Sequence, residues 1–191
     1  MFKHTVCFAA AAVAFATAGN AAFAQASGPD WRFQIGLSYT SGFSDLVDEF
    51  EAEGYEMDWE WPVGVNFLVG QDFANGLGWD ATIGPMVFIF GDADAYVIPL
   101  GVGGRYTFTP EANIAPYVRA GLSYAFAGGD YLDTGDLGYT GAVGVEFNRD
   151  RRMSFGLEAS YNSATVEFDH YWENDADVKT HEWQIGAFIA F

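Results

Sequence analysis

Residues 181–191 read HEWQIGAFIAF. Trp183, Ile185, Ala187, Ile189 and Phe191 occupy alternate positions, and Glu182, Gln184, Gly186, Phe188 and Ala190 lie between them. Successive side chains of a β-strand point to opposite faces, so this stretch reads as a strand with one strongly apolar face. The same period of two recurs upstream. Trp31, Phe33, Ile35, Leu37 and Tyr39 alternate with Arg32, Gln34, Gly36 and Ser38. Further runs of this kind are MDWEWPVGVNFLVG (57–70), LGWDATIGPMVFIF (77–90), YVIPLGVGGRYTF (96–108), IAPYVRAGLSYAF (114–126), LGYTGAVGVEF (137–147) and MSFGLEASY (153–161). With the C-terminal run they predict eight strands.

Short turn-forming segments, QDFANG, TPEAN and NRDRR, separate strands 2–3, 4–5 and 6–7. Longer acidic segments alternate with them, SGFSDLVDEFEAEGYE between strands 1–2 and NSATVEFDHYWENDADV between strands 7–8. GDADA and AGGDYLDTGD separate strands 3–4 and 5–6. This pattern predicts an all-β, eight-stranded antiparallel up-and-down barrel. Pro62, Pro85, Pro99 and Pro116 lack the N–H that a ladder needs. Pro62, Pro99 and Pro116 are placed near strand ends. Pro85 sits deeper, and the alternation fails after it, which predicts a bulge or kink.

Volume decides which face looks outward. The lumen of an eight-stranded barrel holds little more than its own side chains. The apolar stripes carry most of the Trp and many of the Phe and Tyr residues, too many to fit inside. The other face is mainly Gly, Ala, Ser and Thr with scattered charges, a poor outer surface in water and a good crowded lumen. Beyond residue 24 the only lysine is Lys179, whereas a solvated sheet face normally carries many. The apolar face is therefore expected to meet lipid, in a closed barrel with every backbone group paired. Aromatic residues near strand ends (Trp31, Tyr39, Trp59, Trp61, Tyr106, Tyr124, Phe147 and Trp183) suit interfacial girdles.

The totals agree. The chain has 191 residues, 23 Gly, 18% aromatics and a formal charge of −18, and its mean hydropathy is near zero. Such acidity disfavours nucleic acid as a partner. At the N-terminus, Lys3, the apolar run 6–19 and Ala22-Phe23-Ala24 predict an export signal over residues 1–24. Cleavage is expected after Ala24, with Ala26 as the alternative, leaving residues 25–191 as the barrel. The only cysteine, Cys7, leaves with the signal, so neither a disulfide nor thiol chemistry is expected.

Taken together, these runs resemble the small OmpA/OmpX-like outer-membrane barrels of Gram-negative bacteria. The resemblance spans nearly all of residues 25–191 and rests on pattern, with WQIGAFIAF its most specific element. It implies a bacterial outer-membrane location and contact with membrane lipid and lipopolysaccharide. Trp183, Ile185, Ile189 and Phe191 would form the signal read by the barrel-insertion machinery. The chain would be a monomer, without a peptidoglycan-binding tether, and no cofactor or metal is implied.

Alternation places Arg32, Glu60, Asp80, Arg105, Arg119, Glu146, Glu158 and Glu182 in the lumen. Opposite charges in a narrow bore should pair, arginine bridging carboxylates with its planar fork. A structural plug is the expected result, and a polar ion path the alternative. Acids outnumber arginines in this set, so a carboxylate is left over to hold a proton or a cation. NRDRR reads as a solvated basic turn. The acidic loops read as a solvated surface able to meet an extracellular ligand; none has EF-hand spacing for Ca²⁺.

The functional expectation is a structural or surface-interacting envelope protein, with a narrow channel as the alternative. Some barrels of this kind edit the acyl chains of lipid A, which needs a nucleophile such as serine beside a histidine. Ser160, Ser163 and Glu167 are present, but only His170 and His181 lie beyond the signal, neither next to those serines in sequence. No enzyme is expected.

Overall fold

A computed structural model of the chain describes residues 30–191 apart from 42–43, 53, 55, 57–62, 90–94, 130–131, 150 and 169–175. The strands are β1 (Asp30–Thr40), β2 (Val63–Asp72), β3 (Leu77–Ile89), β4 (Ala95–Thr107), β5 (Ile114–Gly129), β6 (Leu132–Phe147), β7 (Ser154–Phe168) and β8 (Ala176–Ala190). Each pairs antiparallel with its sequence neighbours, and β1 pairs with β8 to close the barrel. Closure is tied at the very end of the chain. The Phe191 N–H donates to the Phe33 carbonyl at 2.8 Å, and the Phe33 N–H donates back at 3.2 Å.

The strands are longer than their hydrophobic runs. About 9–11 tilted residues cross the hydrocarbon, whereas β5 and β6 have 16 residues each and β7 and β8 have 15. On that side the wall rises well past the apolar band. The connection expected over 162–178 shrinks to the residues between Phe168 and Ala176, and that between β5 and β6 to the residues between Gly129 and Leu132. Asp133, Asp136, Glu167 and Asp177, expected in loops, are strand residues. The first long loop contains α1 (Ser44–Ala52), also unexpected, whose Phe50 is completely buried. Trp59, Glu60, Trp61 and Pro62, and the export signal, lie outside the described residues.

The outer surface is apolar all round. Leu37, Val65, Ile83, Val102, Leu122, Tyr139, Val143, Leu157, Ile185 and Ile189 are all exposed, in the manner of a surface built for lipid rather than water. Aromatic pairs mark both rims. Trp31 meets Trp79 edge-on at 5.8 Å and Phe147 stacks on Phe155 at 5.3 Å near the short turns. Tyr161 lies 5.9 Å from Tyr139 and 4.9 Å from Trp183 toward the long loops.

The irregularity expected at Pro85 is present. Register jumps from Ile83↔Leu100 to Val87↔Val97 on one side of β3, and between Val65 and Phe67 of β2 on the other. The extra residue reverses the phase of the strand. Ile83 is exposed before the bulge, whereas beyond it Val87 is buried and Phe88 exposed. Pro99, expected near a strand end, instead lies inside β4 opposite this bulge, where an interrupted ladder tolerates its missing N–H.

Candidate functional site

The lumen holds the polar chemistry, layered along the barrel. Nearest the short turns is an ion-pair lattice. Arg32 Nη1 donates to Asp72 Oδ2 at 2.6 Å, and Arg149 Nη2 donates to the same oxygen at 2.7 Å. Arg149 Nη1 and Arg105 Nη2 both donate to Glu146 Oε2, at 2.8 and 3.1 Å. The Ser154 hydroxyl donates to the other Glu146 oxygen at 2.5 Å. Burial opposes the charge on Arg149, which lies in the turn outside the spanning strands. The Glu146 and Asp72 carboxylates outweigh that penalty and hold its pKa above the ordinary arginine value.

A second group stands one strand-turn deeper. Arg119 grips Glu158 with two parallel bonds, Nε to Oε2 at 3.1 Å and Nη2 to Oε1 at 2.7 Å. The Tyr117 hydroxyl donates to Glu158 Oε2 at 2.7 Å, and Asp80 lies 3.9 Å from Arg119. The Arg105 guanidinium sits 3.5 Å above the Tyr117 ring, which joins the two groups through a cation–π contact. Tyr117 and Phe188 are large for so narrow a bore, and glycines make the room. A methyl group on Gly144 would collide with the Tyr117 ring, and one on Gly156 with Phe188.

Beyond this layer is a small cavity of about 20 Å³, lined by Thr82, Ser123, Thr140, Ser160, Asn162 and Gln184, with Arg119 on its floor; it has room for about one water. Gln184 links it to Glu182. Its Nε2 donates to Glu182 Oε2 at 2.8 Å, and its Oε1 accepts from the Ser160 hydroxyl at 3.1 Å. Still nearer the loops the buried residues turn apolar: Val87, Val97, Ala125, Ala127, Leu132, Val166 and Phe50.

Of the residues assigned to the lumen from sequence, Arg32, Asp80, Arg105, Glu146, Glu158 and Glu182 are buried there, and Arg119 nearly so. Glu60 lies outside the described residues. Asp72, Arg149 and Tyr117 were missed. Asp72 shares the parity of Gly64 and Asn66, so extending that alternation through the expected turn would have found it. Tyr117 shares the parity of Arg119. Arg149 corrects the reading of NRDRR as a solvated turn: Asn148, at a positive φ of 59°, folds the chain back and turns Arg149 inward, while Arg151 and Arg152 stay exposed. These additions change the charge balance. Arg32, Arg105, Arg119 and Arg149 now face an equal number of carboxylates, Asp72, Asp80, Glu146 and Glu158. Among the described residues assigned to the lumen, Glu182 is the carboxylate left over.

Trp183, Ile185, Ile189 and Phe191 form an exposed apolar stripe on β8. Ser160 faces the lumen and is engaged by Gln184. The β7–β8 register sets Ser163 opposite His181, a juxtaposition that sequence spacing conceals. His170 lies outside the described residues.

A closed barrel with a lipid-facing apolar surface and its charges sealed inside is an integral membrane barrel. Residues 8–191 match the family described as the outer membrane protein beta-barrel domain, and the chain belongs to that family. It is a bacterial outer-membrane protein. Its fold is similar to that of outer membrane protein OprG of Pseudomonas aeruginosa, with a TM-score of 0.53 and 13% identity over 86% of this chain and 96% of that one. It is similar also to Neisserial surface protein A, with a TM-score of 0.51 and 13% identity over 84% and 95% of the two chains. At such identities the likeness concerns the fold alone. No curated protein shows significant sequence similarity to the chain.

Proposed function

We propose that this protein is a non-conducting structural and surface-interacting barrel, anchored in outer-membrane lipid and lipopolysaccharide as a monomer. The observation that carries this reading is the filled lumen. Two ion-pair groups with short contacts occupy the part nearest the turns, a small polar layer follows, and buried apolar side chains close the end nearest the loops. A continuous water path would have to displace both, and opening the ion pairs alone would strand buried charges. The β8 stripe ending at Phe191 serves the insertion machinery. The long-loop end faces outside the cell, where the acidic first loop, with Asp48 and Glu51 exposed on α1, meets a cationic ligand.

Two measurements test this reading. The purified barrel in planar lipid bilayers is expected to give no single-channel steps; regular steps would move the function to transport. Lipid A from cells with and without the protein is expected to give the same mass spectrum. Loss or gain of an acyl chain would turn attention to the paired positions Ser163 and His181.

A further inference from the structure

The turn between β6 and β7 is fastened from inside the barrel. Asp72 and Glu146 accept from the two terminal nitrogens of Arg149, and its Nε donates to the Pro110 carbonyl, in the turn between β4 and β5, at 3.0 Å. The Arg149 N–H reaches the Asn113 carbonyl of that same turn at 3.5 Å, and the Arg151 N–H closes back on the Asn148 carbonyl at 3.0 Å. A turn held in this way has little freedom left to lose on binding a ligand. It leaves Arg151 and Arg152 side by side and exposed.

This pair stands apart in a chain whose formal charge is −18. The lumen arginines are committed to carboxylates, and no other described side chain is an exposed cation. Neither Arg151 nor Arg152 has an ion pair or a side-chain hydrogen bond among the described residues. With Arg149 paired inside, two arginines against one aspartate, Asp150, leave this stretch of sequence positive. Directly after Arg152 the lipid-facing stripe of β7 begins with Met153 and Phe155, both exposed. Ile189, the register partner of Phe155 on β8, is exposed as well. Paired guanidinium groups and an apolar surface therefore meet at one rim of the barrel.

We propose that Arg151 and Arg152, with Met153 and Phe155, bind an anionic phospholipid. The guanidinium groups take its phosphate and the apolar side chains lie along its acyl chains. The planar fork of arginine matches a phosphate, and a cation at the membrane boundary escapes the cost that it would meet in hydrocarbon. Water alone would satisfy the arginines but not the apolar side chains beside them. A headgroup with net negative charge is preferred, because a zwitterionic one carries its own cation to offset the phosphate. The inference takes from the orientation proposed above only that the lipid belongs to the periplasmic leaflet; the binding itself does not depend on it.

The test is native mass spectrometry of the folded full-length barrel, released from detergent that contains phosphatidylglycerol and phosphatidylcholine in equal amounts with identical acyl chains. Retained phosphatidylglycerol should exceed phosphatidylcholine by roughly fivefold or more, the attraction expected of an arginine near an anionic headgroup. Arg151→Gln combined with Arg152→Gln should bring the ratio close to one, with folding checked by the gel shift between boiled and unboiled samples. If the double variant does not fold, Arg152→Gln alone takes its place and should at least halve the preference. Lys179→Gln removes a charge elsewhere in the chain and should leave the preference unchanged. Equal retention of the two lipids by the unaltered protein would overturn the proposal. A preference undiminished in the arginine variants would overturn it by placing the lipid elsewhere, and an equal loss in Lys179→Gln would do so by reducing the effect to net charge.

Discussion

Replacing Glu146 with alanine is expected to cost the barrel about 3–5 kcal/mol of unfolding free energy, the range seen when one partner of a buried ion pair is removed. Glu146 is the acceptor shared by Arg105, Arg149 and Ser154, and Arg32 lies 3.8 Å away. Without it, Asp72 alone would face three arginines in a space that excludes most water. Arg105 is the worst placed of these, since its other contacts are the Thr107 hydroxyl at 3.3 Å and the Tyr117 ring. Urea titration of the detergent-folded barrel, followed by the gel shift between compact and unfolded forms, gives the free energy. Ser154→Ala removes one hydrogen bond and no charge, and should cost only about 1 kcal/mol. Equal, small losses in both variants would mean that the lumen is hydrated enough to screen its charges, and the plug would no longer explain a closed bore.

Leu122→Arg should cost about 2–4 kcal/mol, as expected for a cation placed on the lipid face near the bilayer midplane. Leu122 is 60% exposed, lies midway along β5, and pairs with Val102 and Tyr139, both also exposed. The same change at Phe126, nearer the loop end of β5, should cost only about 0–1 kcal/mol, because the penalty falls toward the interface. Folding into lipid vesicles, measured by the same gel shift, reports both values. In a barrel surrounded by water neither substitution would matter and no gradient with depth would exist. Equal effects at the two positions would therefore count against the lipid-facing assignment.

The two variants probe opposite faces of one wall, and those faces differ in how openly the sequence displays them. Leu122 could be placed outside from Val118-Arg119-Ala120-Gly121-Leu122 alone, because period-two alternation is local and the lipid face demands apolar side chains at every second position. For the same reason the lumen positions of Arg32, Asp80, Arg105, Arg119, Glu146, Glu158 and Glu182 were legible. The bulge at Pro85 was legible too, since a residue without an N–H and a broken alternation coincide there.

What alternation could not convey is partnership. That Glu146 serves Arg105 and Arg149, and that Glu158 takes both Arg119 and Tyr117, depends on register across several strands and on the curvature of a closed sheet. Strand ends beyond the membrane were also hidden. In β6 and β7 the residues past Leu137 and Tyr161 lose the simple pattern, with register shifts between Asp133 and Tyr139, because no lipid remains to enforce it.

The sequence by itself determined the class of fold, the number of strands and the outward face, because each follows from a repeating local choice between lipid and lumen. Tertiary structure alone decided that Arg149 reaches in from a turn, that glycines opposite Tyr117 and Phe188 admit two aromatic rings, and that among the described residues the lumen charges balance except at Glu182. Those contacts depend on strand register, which sets Tyr117 against Gly144 and Phe188 against Gly156, and on the closed curvature of the wall, which brings Arg149 to Asp72, 77 residues away in the chain.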